Sequence, residues 1–431
     1  MHKRWVLKPG GDPEKVAQLS AALGVVPALA ELLVQRDIGT YEEARAFFRP
    51  ELSDLHNPFL MKDMDRAVER IQTALGHKEK ILVYGDYDVD GTTAVSLVYT
   101  FLKNELKHEL IDFYIPDRYS EGYGISFQSV DFARDNGFSL VIALDCGIKA
   151  IEKVAKGKDY GIDYIICDHH RPGDELPLAV AVLDAKRPDC PYPFKELSGC
   201  GVGFKLIQAL ASTRNIAFQA LHKYLDLVVV SIASDIVPIT GENRILAYYG
   251  LKLLNQNPRP GFEAILKFSN VNKKAEAKEG AVNHVVNGSS EAETDSLFFS
   301  RELSISDLVF LLGPRINAAG RIESGRNSVE LLICQDPDKA CLIWQQINDF
   351  NTTRRDLDTT TTDMAMDSIK TLPRLKHART TVVYNPDWHK GVIGIVASRL
   401  IESYYRPTIV LTQSNGFITG SARSIKAFDI Y

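Results

Sequence analysis

The stretch YGDYDVDGTTA, residues 84–94, sets Asp86, Asp88 and Asp90 at alternate positions directly after the apolar run ILVY. Carboxylates this close repel one another unless a positive charge sits among them. They either face water or hold a cation. Three more groups repeat the arrangement: Asp145 ends LVIALD, Asp168, His169 and His170 end YIICDHH, and Asp235 follows LDLVVVSIAS. Carboxylates suit Mg²⁺ or Mn²⁺, and an added imidazole favours Mn²⁺. One ion takes about three protein ligands, so six candidates point to two ions about 4 Å apart that share a carboxylate. Such a pair would make hydroxide from water and neutralise a phosphate in flight.

Each group also has a structural reading. A DxD can be a solvated turn, Asp145 a helix cap, the paired histidines surface residues, and Asp235 the cap of a turn before IVP. What decides between these readings is whether the groups meet. From about residue 65 to 235 apolar runs alternate with amphipathic ones. KILVYGDYDVD, IDFYIPD, LVIALDCG, DYIICDHH and AVAVLDAK read as strands. AVERIQTALGH, TTAVSLVYTFLKN, SFQSVDFARDNG, IKAIEKVAKGKDYG and GVGFKLIQALAST read as helices. That alternation predicts βαβ units and a mainly parallel sheet. In such a sheet the C-terminal strand ends share one edge, where ligands bind. Asp86, Asp88, Asp90, Asp145, Asp168 and His169 are therefore expected to be neighbours. Alternate strand residues face one way, but Gly91 suggests a turn. Asp88 and Asp90 are thus expected to touch the ions, and Asp86 less directly.

The rest of the chain frames this unit. Residues 1–60 read as an N-terminal helical segment and 61–250 as the catalytic domain. Residues 251–336 read as a connecting region, with 271–299 a polar surface insertion or mobile loop. Residues 337–372 read as one long linker helix, although its threonine run is a poor helix former. Residues 373–431 read as part of a second, smaller α/β domain. The 431 residues are 45% hydrophobic and 24% charged, which is ordinary for a globular protein. The net charge of −5 gives no global attraction to nucleic acid, so such a partner needs local basic clusters. No apolar run approaches the roughly 20 residues of a membrane span, and the N-terminus lacks a secretion signal. Six cysteines without CxxC spacing read as buried reduced thiols. A cytoplasmic, monomeric protein is expected.

YGDYDVDGTTA, LDCG, CDHH and SIASDIVP occur in the order found in the DHH phosphoesterase superfamily, and the chain resembles its single-strand-specific DNA exonucleases. PDRYSEGYGIS, GPRINAAGRI, WHKGVIGIVASRL and GSARS extend the likeness from about residue 45 onward. The resemblance implies a two-metal, Mn²⁺-preferring hydrolase. It would degrade single-stranded DNA from the 5′ end to mononucleotides, in DNA repair and recombination, with a single-strand-binding protein as a partner. It implies Asp88, Asp90, Asp145, His169 and Asp235 as metal ligands, with Asp145 bridging. Asp168 and His170 would orient ligands or contact the scissile phosphate. Arg118, Ser421 and Arg423 would hold the 5′ phosphate, which suits the forked donors of arginine. Arg315 and Arg321 would lie on the DNA path, and His389 would face the cleft from the second domain.

Chains of this kind continue with a motif resembling GGHxxAAG and an oligonucleotide-binding barrel. Neither follows Tyr431, so a fragment or an incomplete product is expected, with a complete metal centre but a weaker grip on DNA. Two other functions stay open. One is a small-substrate phosphodiesterase acting on short oligoribonucleotides or cyclic dinucleotides. The other is a non-catalytic scaffold.

Overall fold

The computed structural model describes residues 5–118, 120–269, 271, 273–274, 297–322, 325–376, 378–414, 416–426, 428 and 430. Three short helices open the chain: α1 (Pro13–Leu23), α2 (Pro27–Val34) and α3 (Tyr41–Phe48). They close a small core of their own around Leu19, Ala30 and Leu33. Arg244 pins them to the main body, its guanidinium 3.6 Å from the Phe47 ring centroid.

The main body is built on β1 (Ile81–Gly85), β2 (Ile111–Tyr114), β3 (Leu140–Leu144), β4 (Asp163–Cys167) and β5 (Ala181–Leu183). The strand order is β2-β1-β3-β4-β5, and every pairing is parallel. α4 (Met64–His77), α5 (Val89–Asn104), α8 (Gly199–Thr213) and α9 (Leu225–Asp235) share one core with Ile81, Val83, Ile142 and Ile165. On the other face, α6 (Phe127–Asp135) and α7 (Ile151–Asp159) cover Leu82, Tyr84, Val141 and Ile166. Burial on both faces is why these strands read as unbroken apolar runs. The order reverses between β1 and β3, which opens a crevice at their C-terminal ends.

The region read as a connector contributes to the same core. It holds α11 (Pro260–Lys267), α12 (Gly313–Ile322) and α13 (Arg326–Ile333), which follow α10 (Gly241–Gln256). Phe262, Leu308, Ile316 and Leu331 are buried with the residues of the first sheet. Of the stretch 271–299, residues 275–296 lie outside the described residues. Among its described ends Val271 and Phe299 are buried and Lys273 bridges to Phe299, while Lys273 and Lys274 are exposed. All six cysteines are free, five of them buried.

A single helix, α14 (Pro337–Thr371), runs through the threonine-rich stretch. Packing overrides propensity here. Trp344, Ile347, Asp358, Ala365 and Ile369 are buried along it. The hydroxyls of Thr352 and Thr353 return a hydrogen bond to the carbonyls of Asn348 and Asp349, four residues back, at 3.1 Å each. Beyond it, β6 (Thr381–Tyr384), β7 (Thr408–Ser414) and β8 (Phe417–Arg423) form a second sheet, packed by α15 (Ile393–Tyr404). Among the described residues no single helix is long and apolar enough to cross a membrane.

Candidate metal centre

The first strand stops at Gly85, so the aspartates do not lie on an extended segment. Asp88 caps α5, its Oδ1 accepting the Gly91 amide at 3.0 Å, and Asp90 already sits in the first helical turn. The turn is tight enough to require glycine: a Cβ on Gly91 would lie 2.4 Å from the Asp86 carbonyl oxygen. Asp86 is fully buried beneath it and accepts the Gly124 amide at 3.4 Å.

Asp145 leaves β3 with φ +58, a left-handed backbone that a non-glycine residue adopts at a cost. Its amide is held by the Cys167 carbonyl at 2.9 Å. The bend brings the carboxylate against the first residue of α8, where a Cβ on Gly199 would come within 2.7 Å of Asp145 Oδ1. Asp235 ends α9, and Ile236 after it has φ +59, which is rare for a β-branched residue. His169 enters from the end of β4. Its Nε2 is 3.1 Å from Asp145 Oδ1, 3.6 Å from Asp235 Oδ2 and 3.7 Å from Asp90 Oδ2.

Four residues from four elements thus converge, but not as hydrogen-bond partners. His169 Nε2 and Asp145 Oδ1 are buried and unsatisfied despite the 3.1 Å between them, as is Asp86 Oδ2. The atoms aim at shared space rather than at one another, as ligands around a cation do. Unpaired buried carboxylates are costly. Burial, and then the charges of Asp90 and Asp88, push Asp145 well above the carboxylate range. Burial followed by Asp88 raises Asp86 to about 8, and burial followed by Asp90 raises Asp235 to about 6. Asp88 is raised by burial and by Asp90. Each shift marks negative charge that a divalent cation would relieve. Ligand atoms of Asp90, His169 and Asp235, and of Asp145, His169 and His170, lie within 4.8 Å of one another in two groups. Asp86 and Asp88 belong to neither.

Asp168 is engaged elsewhere. Its Oδ1 accepts from the His169 and His170 amides and lies 2.7 Å from His170 Nδ1, while Oδ2 accepts from Ile148. Burial pushes Asp168 up, but the His170 hydrogen bond, the His170 charge and the amides of Ile148 and His170 together outweigh it and hold the carboxyl below its ordinary value; the same His170–Asp168 bond raises His170. The pair fixes the His170 ring. A pocket of about 220 Å³ opens beside it, walled by Tyr123, Ile125 and Ile148 with Lys149 and Lys153.

The cationic residues follow a second line. Arg118 stacks on Tyr87, 4.8 Å from its ring centroid, close enough to bear on Asp86. Asn317 Oδ1 on α12 accepts the Val89 amide beside Asp88 at 3.0 Å. On the same helix Arg315 feels Arg355 of α14, and Arg354 feels Arg355, Arg399 and Arg315. Arg399 of α15 is held by buried Asp358 at 2.7 Å. Its neighbour Ser398 accepts from Arg423 Nε at 3.2 Å, and Arg423 reaches Ser421 at 3.1 Å. His389 is half-buried before α15, and burial lowers it. The Arg321 side chain lies outside the described residues. Sequence reasoning passed over Arg354, Arg355, Arg399, Asp358, Asn317, Ser198 and Ser231. The doublet Arg354-Arg355 beside threonines was a readable sign of a basic cluster. Asn317 gave none, because its contact is 228 residues away.

The parallel sheet with acids and imidazoles at its switch point defines a DHH-type protein: residues 80–232 match the DHH family, N-terminal domain. The Bacillus subtilis single-stranded-DNA-specific exonuclease RecJ is 38% identical over 99% of this chain, and the Escherichia coli RecJ 33% identical over 96%. The chain belongs to the RecJ family. It spans 50% of the Bacillus subtilis relative's length and 68% of the Escherichia coli one's. A crystal structure of exonuclease RecJ bound to manganese is 26% identical, with a TM-score of 0.70 over 88% of this chain and 86% of that one. RecJ of Thermus thermophilus in complex with Mn²⁺ shares the fold, with a TM-score of 0.76 over 97% of this chain and 55% of that one, at 24% identity.

Proposed function

We propose that this chain is a 5′→3′ exonuclease of single-stranded DNA that works with two divalent cations, Mn²⁺ or Mg²⁺. The observation that carries the reading is the convergence of Asp90, Asp145, His169 and Asp235 with buried ligand atoms left unpaired. The names of the relatives and the manganese-bound structure support it. Bound there, the ions would activate water and stabilise the charge on a phosphodiester in flight.

The chain's own residues do the rest. Asp90, Asp145, His169 and Asp235 hold the ions, with Asp88 and Asp86 adding negative charge beside them. His170, its ring fixed and its pKa raised by the Asp168 hydrogen bond, donates to a phosphate oxygen or to the leaving oxygen. Arg118, Arg315, Ser421 and Arg423 receive the 5′-terminal phosphate and the strand behind it. A terminal monoester carries more charge than a diester, so arginine forks favour that end and set polarity. The line of arginines from Arg315 through Arg354 and Arg355 to Arg399 gives a chain of net charge −5 a local cationic track. Six free thiols fit a reducing compartment such as the cytoplasm.

The test is digestion of 5′-phosphorylated single-stranded DNA with Mn²⁺. Mononucleotides should appear from the 5′ end, and Asp145→Asn should stop their release. Turnover confined to dinucleotides would favour a small-substrate phosphodiesterase instead.

A further inference from the structure

Among the four converging side chains, Asp90 is the carboxylate held by three short hydrogen bonds. Its Oδ2 accepts the Gly199 amide at 2.7 Å. Its Oδ1 accepts both the Cys200 amide and the Ser231 hydroxyl, each at 2.7 Å. Ser231 is fully buried in the apolar helix α9, and its oxygen also lies 2.6 Å from that of Ser198, equally buried. Ser198 in turn accepts the Gly201 amide at 3.1 Å. Proton counting gives this chain a direction. A hydroxyl has one proton to donate. A carboxylate accepting at both oxygens returns none, so the Ser231 proton goes to Asp90. The Ser198 proton therefore goes to Ser231. The order runs from the Gly201 amide to Ser198, then Ser231, then Asp90, each link polarising the next.

The lone pairs can be counted too. A carboxylate offers about four acceptor positions, two on each oxygen. Oδ1 uses both, on Cys200 and Ser231. Oδ2 uses one, on Gly199, and it is the oxygen that faces His169 Nε2 at 3.7 Å. We propose that Ser231, driven by Ser198, is a positioning residue that saturates Asp90 Oδ1, so that Asp90 meets a divalent cation through Oδ2 alone. The inference rests on the metal-centre reading above and adds to it a residue that touches neither metal nor DNA. A purely structural serine would tie α9 to α8 and leave metal affinity alone.

The test is Mn²⁺ titration by calorimetry without DNA, on the full chain. Loss of an outer partner of a metal ligand costs about 10–100-fold in metal affinity, and that loss is expected for Ser231→Ala. Ser231→Cys keeps the shape with a weak S–H donor and should fall between. Ser198→Ala should weaken binding too, but the double variant should lose less than the two single losses combined, since both act through one proton chain. A Mn²⁺-bound crystal structure should show Asp90 ligating through Oδ2 only, and should show it rotated or bidentate in Ser231→Ala. Parent-like affinity in a folded Ser231→Ala, or additive losses, overturns the relay while the metal centre stands. A parent chain that binds no Mn²⁺ overturns the metal-centre reading itself, and the relay with it.

Discussion

Asn317 Oδ1 accepts the amide proton of Val89 at 3.0 Å, tying α12 to the first turn of α5 between the two acids Asp88 and Asp90. The Val89 amide is one of the helix-start donors with no partner inside its own helix. The contact therefore does two jobs: it caps α5 and it holds α12, with Arg315, beside the metal centre.

Asn317→Ala should cost about 1 kcal/mol of stability, the usual size of a lost cap. It should also weaken DNA binding by more than that stability loss explains, because Arg315 moves with α12. Chemical denaturation and fluorescence anisotropy on metal-free protein separate the two effects. Unchanged DNA affinity would show that Arg315 is placed without this contact.

Asp145→Asn removes one of the mutually repelling charges while keeping a side chain that tolerates φ +58. Metal-free stability should rise, on the order of 1 kcal/mol, while nuclease activity falls at least about 1,000-fold. Asp145→Ala should lose the activity without the full gain, since alanine fits the left-handed backbone less well. Melting curves with chelator, set beside activity with Mn²⁺, check the opposite signs.

The raised carboxyls set a pH dependence for the metal-free protein. Asp86 moves to about 8 and Asp235 to about 6, from ordinary carboxyl values. A carboxyl raised on folding contributes stability below its unfolded value and loses it as pH rises through the folded one. Metal-free protein should therefore become less stable from about pH 5 to about pH 8. The stabilisation added by saturating Mn²⁺ should grow over the same window, since protons and metal compete for the same oxygens. Differential scanning fluorimetry with and without Mn²⁺ reads both. A metal-free melting temperature that climbs with pH would contradict the crowding of charge at this site.

The basic track makes a salt prediction. Arg399→Gln and Arg355→Gln should each weaken single-stranded DNA binding and reduce the slope of log affinity against log salt by about 0.7, the value of one lost phosphate contact on a single strand. Asp358→Asn, which frees Arg399 from its 2.7 Å ion pair, should steepen that slope. Equal slopes in all three variants would place the DNA elsewhere.

Much of this site was legible because it is written locally and repeated. An apolar run ending in an acid or imidazole recurs at Asp86, Asp145 and Asp168, and parallel topology alone carries those ends to one edge. The details were not local. Whether Asp88 lies on a strand or caps a helix depended on a turn that Gly91 permits. The left-handed backbone of Asp145 has no compositional sign. The packing of residues 251–336 into the first core depends on contacts such as those of Phe262 and Ile316, which no periodicity assigns to a partner. The threonine-rich part of α14 argued against helix by propensity and was overruled by burial of Asp358, Ala365 and Ile369. Ser231 did give a sign, a hydroxyl inside the apolar run LVVVSIA, but its target was 141 residues away.

Anomalous diffraction from crystals soaked in Mn²⁺ tests the central assignment most directly. Two peaks about 4 Å apart are expected among Asp90, Asp145, His169 and Asp235. An empty site at saturating Mn²⁺, or ions bound away from these four side chains, would contradict it.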